Sequence, residues 1–169
     1  ILMWEREQAV LPVVCVEFYK NFLFAGIGSE LQIFDTINKF ECLAKFPCLT
    51  PGTLIRGIRF LDKAENKHLQ FPFEQENSEI VTVFGQKEIV SFRWDHSLDP
   101  SDPGTFCELW KMEGSDDWIW DVMLGNVHSS DQVELIRITA HNVLDIWNFN
   151  ERTRMETIAS PDNSILYSA

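Results

Sequence analysis

Gly28-Ser29-Glu30-Leu31-Gln32-Ile33-Phe34-Asp35 is a small-residue turn leading into an alternating strand that ends on an aromatic. The pattern returns at Gly85-Gln86-Lys87-Glu88-Ile89-Val90-Ser91-Phe92-Arg93 and at Ala140-His141-Asn142-Val143-Leu144-Asp145-Ile146-Trp147-Asn148. Period-two alternation sends successive side chains to opposite faces, so each copy reads as a β-strand entered through a tight turn. Phe34, Phe92 and Trp147 are the equivalent aromatics, 58 and 55 residues apart. Self-similarity on that scale marks a repeat architecture, in which no unit buries its apolar surface alone.

Working outward, each unit fills in as four short strands. The first takes 11–18, 22–27, 31–35 and 40–46, and the second takes 54–61, 80–84, 89–94 and 106–112. The third takes 118–124, 133–139, 143–149 and 155–159, and 165–169 opens a fourth. No run of ten or more residues carries a helical stripe. The expected fold is therefore all-β, a partial β-propeller of degenerate four-stranded blades spanning 10–48, 54–112 and 117–159, with the start of a fourth at 165–169. The Ile33-Phe34-Asp35 and Ile146-Trp147-Asn148 endings resemble the Trp-Asp ending of the WD-repeat (WD40) family. No Gly-His pair opens any unit and the second ends in Phe92-Arg93, so the hydrogen-bond network of regular WD repeats is expected to be incomplete. The units exceed the usual ~40–45 residues because of polar insertions at 62–77 and 95–105, expected on the surface.

The 169 residues are 45% hydrophobic and 24% charged, enough apolar material for a sizeable core. Both ends are apolar, so the chain reads as a piece of a longer protein. The longest apolar runs fall far short of the roughly 18 residues that cross a bilayer, and no membrane partner is expected. Four scattered cysteines and the absence of an Asn-x-Ser/Thr acceptor point to a reducing, cytoplasmic setting. A net charge of −12, from 26 acidic and 14 basic residues, opposes a broad phosphate-gripping face and favours a basic partner.

Catalytic and cofactor signatures are weak. Gly26-Ile27-Gly28 lacks the third glycine and the helix of a dinucleotide site, and no Gly-x-Ser-x-Gly elbow nominates a nucleophile. His68, His96, His128 and His141 lie in separate loops without metal-ligand spacing and read as surface histidines, and Cys42 and Cys48 read as packing thiols. No catalytic, cofactor or metal residue is assigned, and no enzyme activity or small-molecule substrate is expected. An enzyme working in the central channel would have to draw on Glu17, Arg56, Arg59 and Asp121, for which an ion-pair network is the simpler account.

The candidate interaction residues are Arg56 and Arg59, set in an apolar first strand, with Asp117 and Asp121 on the next first strand as partners along a shared channel. Asp121 falls in Asp116-Asp117-Trp118-Ile119-Trp120-Asp121-Val122, where alternation sends Trp118, Trp120 and Val122 to one face and Asp117, Ile119 and Asp121 to the other. By equivalence, Trp120, Val122 and Leu124 match core positions Val14, Val16 and Phe18, and Asp121 faces the channel. Trp118 and Trp120 join Phe34, Phe92 and Trp147 as structural signature residues.

Five stretches occur in order: 11–34 (LPVVCVEFYKNFLFAGIGSELQIF), 54–60 (LIRGIRF), 81–94 (VTVFGQKEIVSFRW), 107–110 (CELW) and 117–122 (DWIWDV). Together they resemble the amino-terminal propeller of the WD-repeat subunit that partners an FtsJ-type tRNA 2′-O-ribose methyltransferase. The resemblance implies a non-catalytic adaptor that supports methylation of the anticodon wobble nucleotide, with the methyltransferase as protein partner and tRNA engaged through the full-length protein. The rival within the fold is a generic WD-type scaffold for trafficking or ubiquitin ligation.

Overall fold

A computed structural model describes residues 12–160 apart from 38, 98, 100 and 101, so the expected strand at 165–169 lies outside the described residues. Among the described residues, twelve strands and no helices are found, and the strands form three four-stranded antiparallel sheets. Sheet 1 comprises β1 (Val13–Tyr19), β2 (Phe22–Ile27), β3 (Glu30–Asp35) and β4 (Cys42–Pro47). Sheet 2 comprises β5 (Gly57–Asp62), β6 (Ser78–Phe84), β7 (Ile89–Asp95) and β8 (Thr105–Met112). Sheet 3 comprises β9 (Ile119–Gly125), β10 (Glu134–Thr139), β11 (Val143–Asn148) and β12 (Thr153–Ala159). Each sheet is a meander in chain order, and β5 touches both β1 and β9, so the three first strands run side by side. Among the described residues no helix is long and apolar enough to cross a membrane.

Sheet 2 lies between the other two, which explains its composition. All seven residues of β6 are buried, and even its mid-strand Thr82 is satisfied by the Ser91 hydroxyl 2.7 Å away on β7. Phe24, Ile33, Val83 and Trp94 fill one inter-sheet layer; Phe84, Ile119, Val122 and Leu135 fill the other. Trp94 is fully buried, stacks on Phe106 at 5.6 Å and meets Phe22 and Phe24 edge-on. The last strands, β4, β8 and β12, are the outer edges, and β12 is exposed throughout.

Three expectations are corrected. Val14, Val16 and Phe18 are 43%, 50% and 67% exposed rather than core. Their equivalents in sheets 2 and 3, such as Ile58, Phe60, Val122 and Leu124, pack on the preceding sheet, and among the described residues sheet 1 has none before it. The alternation of β9 also breaks. A bulge opposite Ile138/Thr139 changes its phase, so that Ile119 and Val122 share the core between sheets 2 and 3. Finally, the 62–77 insertion is not simply a surface loop. Leu69 and Phe73 are buried in the layer between sheets 2 and 3, and Gln70 bonds to Asp131, Gln132 and Asn150 of sheet 3's turns.

Sheet 3 is closed on its own by a histidine. His128, after β9, pairs through Nδ1 with the buried Glu134 at 2.8 Å and through Nε2 with Glu156 of β12 at 3.1 Å. The hydrogen bond to Glu134, then that to Glu156, hold the imidazolium form above its ordinary range.

Two outcomes are expected. In sheet 2, a Cβ on Gly57 would sit 2.3 Å from the Phe84 ring that lies across it, so Gly57→Ala should cost about 1–3 kcal/mol in urea unfolding, partly recovered by adding Phe84→Leu. For His128, a raised folded-state pKa makes its stabilisation complete below the unfolded value of about 6.5 and lost as pH rises through the folded value. Stability measured against pH should fall above that point in the parent and be flatter in His128→Gln.

Candidate functional site

The three first strands bring charges of opposite sign together. Arg59 of β5 places Nη2 2.6 Å from Asp121 Oδ1 of β9 and Nη1 3.6 Å from Glu17 Oε1 of β1. Asp121 is nearly buried, and its Oδ1 also accepts from the Val122 amide at 2.8 Å. Arg59 Nη1 donates to its own strand at Ile58 O, 3.0 Å away. One guanidinium thus ties all three sheets along their inner edge, with a buried carboxylate on one side and a half-exposed one on the other.

Asp117 takes no part in that triad. It lies in the loop before β9, where Oδ2 accepts from the His141 amide at 2.7 Å and from His141 Nδ1 at 2.8 Å, while Oδ1 accepts from the Trp118 amide at 2.7 Å. Burial alone would raise its pKa, but the His141 and Trp118 donors outweigh burial and hold the carboxyl below the ordinary range. The pair clasps the loop before β9 to the β10–β11 turn, as does the Ala140 amide on Trp118 O at 2.8 Å. Glu88 makes the corresponding clasp in sheet 2, accepting from the Thr50 amide at 2.8 Å.

Arg56, just before β5, pairs with aromatics instead of carboxylates. Its guanidinium carbon lies 5.3 Å from the Trp120 ring centroid and 5.8 Å from that of Trp118. Among the described residues it is the one arginine whose side chain makes neither an ion pair nor a hydrogen bond. Trp118 is 44% exposed, contrary to its expected place on a core face, because it precedes the strand and the β9 bulge. A large exposed indole beside an arginine with unspent donors is the composition of an interface anchor.

The signature aromatics follow one rule. Phe92 of β7 meets Phe46 of β4 at 5.7 Å, and Trp147 of β11 meets Trp110 of β8 at 5.9 Å, so each packs on the fourth strand of the preceding sheet. Phe34 holds the same register position in sheet 1, opposite Leu23, and is half-buried on the face that no described sheet covers.

Of the four histidines read as surface residues, His68 is exposed as expected, and the other three are paired with carboxylates, His141 while still largely exposed. His141 and His128 bind the carboxylates described above, and His96 lies 4.2 Å from the Trp94 ring and 3.1 Å from Glu79. Their partners are 17 to 28 residues away or on other strands, apart from Glu134 beside His128, so spacing gave no signal. Cys48 is buried, which pushes its thiol up to about 12, while Cys42 is exposed rather than packed. Among the described residues no group of three or more His, Cys, Asp or Glu is placed to hold a metal ion.

In fold the chain is similar to the β-propeller domain of Cps50 (Swd1) from Myceliophteria thermophila, with a TM-score of 0.60 and 16% identity over 88% of this chain and 43% of that one. It is also similar to Raptor from Chaetomium thermophilum, with a TM-score of 0.58 and 12% identity over 93% of this chain and 13% of that one. The chain thus spans less than half the length of either. No protein-family model matches the chain, and no curated protein matches it by sequence. The likeness, with three meander sheets joined along their first strands, makes the three sheets β-propeller blades.

Breaking the triad should show which contact matters. Arg59→Met is expected to cost about 1–3 kcal/mol, because the buried Asp121 loses its guanidinium. Glu17→Gln, at a half-exposed carboxylate, should cost under about 1 kcal/mol. Denaturant midpoints of the two variants, with an Arg59–Asp121 double-mutant cycle, check both values.

Proposed function

We propose that this chain is part of a non-catalytic propeller adaptor, working in the cytoplasm, that supports tRNA 2′-O-ribose methylation at the anticodon wobble position by binding an FtsJ-type methyltransferase. The reading is carried by the ordered resemblance of the five stretches from 11–34 to 117–122. The Arg56–Trp118–Trp120 cluster supports a protein-binding role. It offers an aromatic surface and unspent guanidinium donors just before β5, whereas the other arginines among the described residues make ion pairs or hydrogen bonds. The chain's net charge of −12 suits docking on a basic enzyme and leaves the tRNA phosphates to the enzyme or to other parts of the protein.

The second reading is a generic scaffold for trafficking or ubiquitin ligation. It draws on the fold likeness to the Swd1 propeller and Raptor, which supports a propeller without selecting a partner.

Affinity purification of the full-length protein should recover an FtsJ-type methyltransferase, and deleting its gene should abolish wobble 2′-O-methylation on the affected tRNAs. Unchanged tRNA modification would overturn the reading in favour of the scaffold. Trp118→Ala and Arg56→Ala should each weaken capture of the enzyme by roughly 30-fold, about 2 kcal/mol, with the thermal midpoint little changed.

A further inference from the structure

At the opposite end of β5 from Arg56, sheets 1 and 2 enclose an acidic cleft of about 220 Å³. Asp62, the last residue of β5, stands directly across from Glu79 on β6, a like-charge pairing that costs stability unless a cation intervenes. The intervening cation is Lys20, from the β1–β2 turn. Its ammonium binds Glu79 Oε1 and approaches Asp62 Oδ2 at 3.8 Å and His96 Nδ1 at 3.3 Å. Glu76 adds a third carboxylate to the lining. One lysine therefore serves a cluster that carries more negative than positive charge.

Glu79 is the decisive residue. Its side chain is 3% exposed, and although Oε1 is engaged by Lys20 and lies 3.1 Å from His96 Nε2, Oε2 is buried with no hydrogen-bond partner. A buried carboxylate oxygen left without a donor is costly, and the nearby Tyr19 hydroxyl, held un-ionised first by burial and then by Glu79, donates to Asp62 Oδ2 at 3.3 Å. Asp62 adds a standing negative charge. Burial pushes its carboxyl up, but the Ala64 and Glu65 amides, Lys20 and the Tyr19 hydroxyl outweigh burial and hold it below the ordinary range.

We propose that this cleft receives an arginine side chain from a basic segment of a partner protein, whose guanidinium takes Glu79 Oε2 while Lys20 moves toward Asp62 and solvent. The guanidinium fork supplies the missing donors in the planar geometry that carboxylates accept. Lys20 is free to yield. Its side chain is 40% exposed and it sits in a two-residue turn with a left-handed backbone (φ 54°); beyond the cleft residues its ammonium meets the face of the Tyr19 ring, 5.5 Å from the centroid. The chain's net charge of −12 draws basic segments toward such a site. Nothing in this assignment depends on the tRNA reading.

The test titrates the full-length protein with an Arg-Arg-Arg tripeptide, its citrulline counterpart and magnesium chloride, following the His96 imidazole by NMR. The arginine peptide should shift the His96 signals and bind at least about tenfold more tightly than the citrulline peptide, since only the former pairs with the buried carboxylate. Glu79→Gln should abolish that preference, and Lys20→Ala should tighten binding severalfold by vacating the site. If Glu79→Gln does not fold, Lys20→Ala, at an exposed turn, decides alone. Unchanged or weaker affinity in Lys20→Ala overturns the proposal. Equal binding of the two peptides, or a His96 response to magnesium but not to the arginine peptide, also overturns it.

Discussion

The burial of sheet 2 on both faces is the constraint from which the rest of the structure follows. A strand such as Ser78–Phe84, with every residue buried, is stable only if apolar surfaces cover both sides and each polar group inside finds a partner. Sheets 1 and 3 provide those surfaces, Trp94 anchoring one layer and Phe84 the other. Once the three sheets stack, their first strands converge, and Arg59 comes within reach of Glu17 and Asp121. The ion triad is thus a consequence of the packing, and it links the three first strands. At its buried end, losing one partner costs more than at a surface pair, because Asp121 has little access to water and would be left uncompensated.

The same geometry makes each blade depend on the one before it. Phe92 and Trp147 occupy one register position and do one job, packing on the fourth strand of the preceding sheet. Phe34 has the position without the neighbour, and Val16 and Phe18 share its face. A repeat protein distributes its core between units, so one residue type can be core in one repeat and exposed in another. The regular tie between loops and turns is kept while its residues change. An Asp117–His141 pair clasps sheet 3, and a glutamate bonded to a backbone amide does the same in sheet 2.

The packing leaves two strong polar groups without a full set of partners. At one end of β5 the donors of Arg56 lie on two tryptophan faces, and at the other an oxygen of Glu79 has no donor. Both are strong interaction groups held rigid by the blades around them, which lowers the entropic cost of meeting a partner. They are opposite in charge and lie at opposite ends of one strand.

By itself the sequence determined the architecture, because alternation, turn residues and the spacing of Phe34, Phe92 and Trp147 are local signals that survive without coordinates. It also nominated Arg59 and Asp121, since charges inside apolar strands must find each other. Tertiary structure alone decided which pairs form: that Asp117 serves His141 and not an arginine, that Arg56 rests on indoles, and that the 62–77 insertion reaches sheet 3 through Leu69, Gln70 and Phe73. It alone brought Lys20, Asp62, Glu79 and His96 into one cleft from four separate strand ends. The physical reason is one of range. Periodicity is written within a few residues, whereas a bulge in β9, or a carboxylate left without a donor, exists only once distant strands have stacked.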